Sequence, residues 1–161
     1  MKIQKANKRH YLEILKLLAD SNLPTEDVDI DAIDFQVGLN NNKVIAGGAV
    51  QSFGDNLLLR SVAVHSTQRG KRIGAQLVEK LVQDFGRKPI YLLTESTTGF
   101  FEQLGFIVIK RGEVPEGVQK STQFSKICPA SANPNYSRMD AKWRSIYLNI
   151  LSLNFLVNNP G

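Results

Sequence analysis

Three cations and a glycine crowd into the five residues Gln68-Arg69-Gly70-Lys71-Arg72, the one stretch that joins basic density to backbone freedom. Placed between a strand and a helix, such a turn offers unpaired N–H groups and the positive end of a helix dipole to an anion, and a pyrophosphate suits it well. Glu95 follows the apolar run Ile90-Tyr91-Leu92-Leu93 after a single residue, Thr94. A carboxylate at the carboxyl end of a strand can take a proton from a substrate ammonium, hold that ammonium by charge, or simply stand near the next helix's N-terminus. Arg60 comes straight after Leu57, Leu58 and Leu59, an apolar setting in which a guanidinium needs a partner. That partner is either the acidic head of a substrate, which the planar fork fits, or a structural counter-ion.

The elements that must position these groups can be read from periodicity. Lys2 to Lys5 is a first strand, and Asn7 caps a helix whose apolar residues Tyr11, Ile14, Leu15 and Leu18 recur at helical spacing. Pro24 opens an acidic stretch, Glu26-Asp27-Val28-Asp29, expected as a short helix or loop. Phe35–Leu39, Val44–Phe53 and Leu57–His65 form an antiparallel meander with turns at Asn40–Asn42 and Gly54–Asn56. Ile73, Leu77, Val78, Leu81, Val82 and Phe85 then make a helical stripe, so a helix follows the basic turn, and Gly86 fits its stop. Ile90–Leu93 reads as a covered strand parallel to Leu57–His65. A short helix through Phe100, Phe101 and Leu104, a strand at 106–110, a small helix after Pro115 and a last strand over Thr122–Ile127 complete the pattern. On simple alternation, Arg60 and Val62 share one face of their strand.

The chain of 161 residues is long enough for one domain and too short for two ordinary ones. Its 42% hydrophobic and 22% charged residues exclude a disordered or collagen-like chain. One cysteine, Cys128, and two separated histidines, His10 and His65, make neither a disulfide nor a metal cluster. Cys128 reads as a small buried hydrophobe, and His65 as a polar strand end or a lining of the groove. The N-terminus lacks a leader-like apolar core, and the longest apolar-rich run, Ile146 to Val157, has only about 12 residues against about 20 for a membrane span. The expected location is therefore the cytoplasm, with no membrane partner. A net charge of +5 is modest, and with few aromatics and the basic cluster confined to a small-anion turn, nucleic acid is not expected as a partner. Beyond Cys128-Pro129 the composition turns linker-like, which divides a domain over 1–133 from an extension over 134–161. Trp143, Ile146, Tyr147, Ile150 and Leu151 predict an amphipathic helix from about 138 to 156, suited to a homodimer contact.

Arg69, the residue at 72 and Gly74 stand at the spacing of the acetyl-CoA loop of the GNAT acetyltransferase superfamily, Arg or Gln, two free residues, Gly, one free residue, then Gly or Ala. The loop resembles that pattern with Arg72 in place of the first glycine. Arg72 either crowds the pyrophosphate or contacts a phosphate itself. Phe100-Phe101-Glu102-Gln103-Leu104-Gly105-Phe106 resembles the superfamily's Phe-Tyr-x-x-Leu-Gly-Phe, with Phe101 in place of the tyrosine that protonates the leaving thiolate. A narrower resemblance runs through Leu23–Val28, Leu58–Val64, Leu92–Thr97 and Phe124–Ala132. These segments are similar to the arsinothricin- and phosphinothricin-type amino-acid N-acetyltransferases of the arsenic-resistance group, from which residues 134 to 161 depart.

The resemblance implies an α/β (α+β) fold, a mixed and mostly antiparallel sheet of six to seven strands flanked by helices, here with an appended C-terminal helix. It implies acetyl-CoA as co-substrate, held by Val62, Val64, Arg69, Gly70, Lys71, Arg72, Gly74 and Phe101, with the N–H of Val62 polarising the thioester. The acceptor would be a small amino-acid-like amine, bound by Arg60, Thr94 and Glu95 and deprotonated by Glu95. The competing expectation is an acyl-CoA sensor without turnover, prompted by Arg72 and Phe101.

Overall fold

Seven segments pair into one sheet among the described residues, which are 1–85, 88–127 and 135–139 of this computed structural model. They are β1 (Lys2–Lys5), β2 (Asp34–Asn40), β3 (Lys43–Phe53), β4 (Asn56–Val64), β5 (Ile90–Thr94), β6 (Ile107–Ile109) and β7 (Asn135–Met139). Their spatial order is β1-β2-β3-β4-β5-β7-β6, antiparallel at every step except β4 to β5, which is parallel. The helices are α1 (Tyr11–Asp20), α2 (Ile73–Asp84), α3 (Thr98–Gln103), α4 (Glu116–Gln119) and α5 (Thr122–Ile127). None of the described helices is long and apolar enough to cross a membrane.

Local chemistry accounts for most boundaries. Asn7 accepts from Arg9 N at 3.0 Å while His10 Nδ1 accepts from Asn7 N at 3.2 Å, a reciprocal cap on the short turn that leads into α1. Asn41 and Asn42 both adopt positive φ, 48° and 61°, in the two-residue connection between β2 and β3. Asparagine tolerates that conformation, and the primed turn matches the twist of the strands it joins.

Both faces of the sheet are covered. On one, α2 and α3 bury Leu77, Leu81, Phe101 and Leu104 against Leu57, Leu59, Ile90 and Leu92. On the other, α1 packs Ile14, Leu17 and Leu18 onto Phe35, Val37 and Ala49, while Val118 and Phe124 from α4 and α5 cover Leu58 and Tyr91. β4 is thus buried from Leu57 to Ser61, and every polar group it carries there must be matched inside the fold.

Two expectations need correcting. Thr122–Ile127 is helix α5, not a strand: Ser125 N donates to Ser121 O at 3.0 Å, and one wholly buried residue, Phe124, anchors the turn. A six-residue polar-apolar mixture fits either period, and packing decided it. The sheet also runs past residue 133, because β7 inserts between β5 and β6 with Met139 in the core. Residues 138 and 139, where the appended helix was expected to begin, are strand, since pairing with Tyr91 and Ile90 satisfies their backbone. The rest of that expected helix lies outside the described residues, as do Gly86 and Cys128.

Candidate functional site

The β4–β5 ladder holds two residue pairs, Leu57 with Ile90 and Leu58 with Tyr91, although β4 continues to Val64 and β5 to Thr94. Past those pairs the parallel strands part, and between them opens a cleft of about 1380 Å³. The end of β4, the basic turn, the end of β5, α3 and residues 21–24 after α1 form its walls.

A bulge in β4 shapes the central wall. Between the pairs Gly47–Ala63 and Ala49–Arg60, β3 supplies only Gly48 while β4 supplies Ser61 and Val62. Ser61 takes the strained left-handed conformation, φ 56°, which reverses the alternation of the strand. Arg60 and Val62 therefore do not share a face, contrary to simple alternation. Val62 packs into the α2 side of the sheet, and a Cβ at Gly48 opposite would lie 3.0 Å from Leu81, which would have to shift to admit it. After the bulge, His65 N donates to Ile45 O of β3 at 2.8 Å. By alternation the amides of Val62 and Val64 point the other way, toward the edge where the ladder with β5 has ended. These amides are the right groups to meet carbonyl oxygens in the cleft.

The basic turn continues from there. Arg69 Nε donates to Val64 O at 3.2 Å, which ties the turn to the strand end. Gly70 and Arg72 have positive φ, 78° and 58°, and α2 starts at Ile73. Arg72 thus sits in a region that glycine enters freely and an L side chain enters only under strain. Its guanidinium turns along the helix to Glu79 at 3.6 Å. The Glu79 carboxyl is raised above the usual carboxylate range by burial, with Arg72 offsetting part of the effect. Gly74 is closely packed: a Cβ would stand 3.3 Å from Val64 and 3.4 Å from Phe100, so Val64 would have to give slightly. Lys71 does not line the cleft; its Nζ reaches Gln68 Oε1 at 3.2 Å.

At the end of β5 the Thr94 and Thr97 hydroxyls lie 2.6 Å apart, and Thr97 N donates to Thr94 Oγ1 at 3.2 Å. This closed turn buries Thr94 and sets exposed Glu95 at its tip, on the cleft. Phe101 also reaches the cleft, but it is a core residue, edge-on to Phe100 at 5.0 Å and to Phe106 at 5.7 Å. His65 lies outside the cleft lining, bound through Nδ1 to Thr67 Oγ1 at 2.9 Å.

Arg60 borders the cleft, yet its guanidinium is engaged elsewhere, contrary to a free fork for an acidic substrate. Its Nη2 meets Asp27 Oδ1 at 2.7 Å, and Nη1 donates to Gln51 Oε1 at 2.9 Å. With its side chain 3% exposed, the cation requires a counter-ion inside the protein. Sequence reading missed Asp27, Gln51 and the bulge at Ser61. The one available signal was the acidic run 26–29, the nearest source of an anion for an arginine in an apolar strand.

Residues 31–108 match the family model described as the acetyltransferase (GNAT) domain. Over these residues the chain is similar to the GNAT acetyltransferase domain. Solved structures share its fold. An acetyltransferase of the GNAT family from Staphylococcus aureus is 18% identical, TM-score 0.66, over 87% of this chain and 98% of that one. A Mycobacterium tuberculosis protein in complex with coenzyme A is 22% identical, TM-score 0.71, over 87% and 99%. N-acetylglutamate synthase from Neisseria gonorrhoeae, complexed with coenzyme A and N-acetyl-glutamate, is 16% identical, TM-score 0.69, over 87% of this chain and 35% of that one. No curated protein sequence matches the chain significantly. The mostly antiparallel seven-stranded sheet flanked by helices is the GNAT arrangement that the loop and the Phe-Phe-x-x-Leu-Gly-Phe segment led one to expect.

Proposed function

We propose that the chain transfers acetyl from acetyl-CoA directly to the α-amine of a small, amino-acid-like acceptor of the arsinothricin or phosphinothricin type, as a cytoplasmic resistance activity. The observation that carries this reading is the cleft itself, which has a basic helix N-terminus at one end and Glu95 on the opposite strand end. Neighbouring folds bind coenzyme A, and one of them is a synthase of an N-acetylated amino acid.

In this reading the amides of Gly70 to Gly74 receive the pyrophosphate, with Arg69 beside them. The Val62 and Val64 amides bind the thioester and pantetheine carbonyls, and the Val62 amide stabilises the oxyanion as the amine attacks. Glu95 takes the ammonium proton, directly or through a water, and Thr94 holds the turn that presents it. The C–N bond forms, the C–S bond breaks, and the sulfur leaves as thiolate and draws its proton from solvent or the new ammonium, since Phe101 has no hydroxyl. Arg72 takes a left-handed backbone, φ 58°, of the kind glycine adopts most readily, which favours turnover over a degenerate sensor.

The test is acetylation of arsinothricin, phosphinothricin and methionine sulfoximine side by side, followed by thiol release. Turnover of phosphinothricin or arsinothricin with a KM well below that for unrelated amines is expected; coenzyme A binding with no acetylation of any of the three would overturn it. A homodimer through residues 143–156 belongs to the same proposal. Light scattering on a chain shortened after residue 140, which keeps β7, should then show a monomer.

A further inference from the structure

Resting on the acceptor site just proposed, we infer that Arg60 is a positioning residue, acting through Asp27 to hold the α1–β2 connection against β4 and so to set the wall that the acceptor meets. The connection runs from Ser21 to Ile33. Its first part, Ser21 to Pro24, faces the cleft, and its later part is anchored by Val28 and Ile33 in the core under α1. Leu23 N donates to Leu18 O at 2.9 Å, which fixes the start of the connection to the helix. Between Pro24 and Val28 the polar anchor is Asp27. Arg60 grips it twice, at Oδ1 by 2.7 Å and at the backbone carbonyl by 3.4 Å.

The grip comes from a rigid base. Arg60 lies on the central strand immediately before the Ser61 bulge, and Gln51 of neighbouring β3 holds its other terminal nitrogen. An ion pair that is 3% and 17% exposed is screened little by salt. Losing either member leaves the other charge buried and uncompensated, so the connection must open to water to solvate it. Arg60 Nε is buried with no hydrogen-bond partner among the described residues, so the contacts of the guanidinium there run through its two terminal nitrogens to Asp27 and Gln51. The pair therefore ties β4 to a connection whose anchor, Asp27, lies 33 residues upstream in the chain.

Steady-state kinetics with phosphinothricin on wild type, Arg60→Lys, Asp27→Asn and the double variant separate this from a direct contact. Both single variants should raise the acceptor KM by about tenfold with the acetyl-CoA KM within about twofold, and the double variant should be no worse than either single one, as for two members of one pair. If Asp27→Asn lowers or preserves the acceptor KM while Arg60→Lys raises it, Arg60 touches the acceptor itself and the inference fails. If both variants lower only the melting temperature, the pair is merely structural and the inference fails equally. Amide hydrogen exchange decides the case even when wild type acetylates none of the acceptors: residues 25–29 should exchange about tenfold faster in both single variants, with α1 and β2 unchanged. Unchanged exchange overturns the proposal independently of the acceptor's identity.

Discussion

The two ends of the cleft are built in different ways. At the end proposed for the cofactor, residues 62 to 75 supply strand end, turn and helix start from one unbroken stretch, and the groups on offer are mainly backbone amides. At the end proposed for the acceptor, the wall combines residues 21–24, Arg60 held by Asp27 behind it, and the Thr94–Thr97 turn, so it is assembled by side chains from separate segments. A local motif can be kept by spacing alone, because helix and turn geometry place every amide. A composite wall depends on buried ion pairing across the fold, so its specificity can change while the cofactor end stays as it is.

The largest expected effect tests the acceptor end. Glu95→Gln keeps the shape of the turn and removes the base, and kcat should fall by about 100-fold near neutral pH, with a smaller defect at high pH where the amine is already neutral. An unchanged kcat would move the proton to another acceptor and leave Glu95 as a solvated turn residue. Next comes the cofactor end: Arg69→Ala with Lys71→Ala should weaken coenzyme A binding by about tenfold, the worth of one charge-assisted contact, while the acceptor KM holds. Because Lys71 stands off the cleft, Arg69→Ala alone should account for most of that loss, read by calorimetry against truncated pantetheine. Equal losses for coenzyme A and pantetheine would sink the phosphate assignment.

A smaller effect is expected from backbone strain at the same turn. Arg72→Gly should stay within about 1 kcal/mol of wild-type stability, whereas Arg72→Val, a branched residue forced to positive φ, should lose about 1–2 kcal/mol in urea denaturation. The smallest concerns Glu79. Its raised pKa means that the native state holds more protons than the unfolded chain just above the ordinary value of 4.5, so stability falls as pH rises through that window. Glu79→Gln should therefore gain stability at neutral pH, by less than about 1 kcal/mol, and the gain should vanish below about pH 4.5. A gain that persists at lower pH would trace to packing instead of charge.

The sequence alone carried most of the elements, including the strand, basic turn and helix start at the end proposed for the cofactor. β1, α1, the asparagine turn, α2 and β5 fall within a residue or two of the periodicity that announced them, because each is governed by neighbours three or four positions apart or by strict alternation. What only the tertiary structure decided are the features in which distant segments compete for one position. Ser61 bulges because β3 offers Gly48 alone across from two residues, and that bulge separates Arg60 from Val62. Thr122–Ile127 coils because Phe124 finds its burial under the sheet as a helix, and β7 enters the sheet because β5 and β6 left backbone groups to be paired. Asp27 became the partner of Arg60 because a charge enclosed by the fold must be neutralised within reach, and which carboxylate lies within reach is a property of the folded chain.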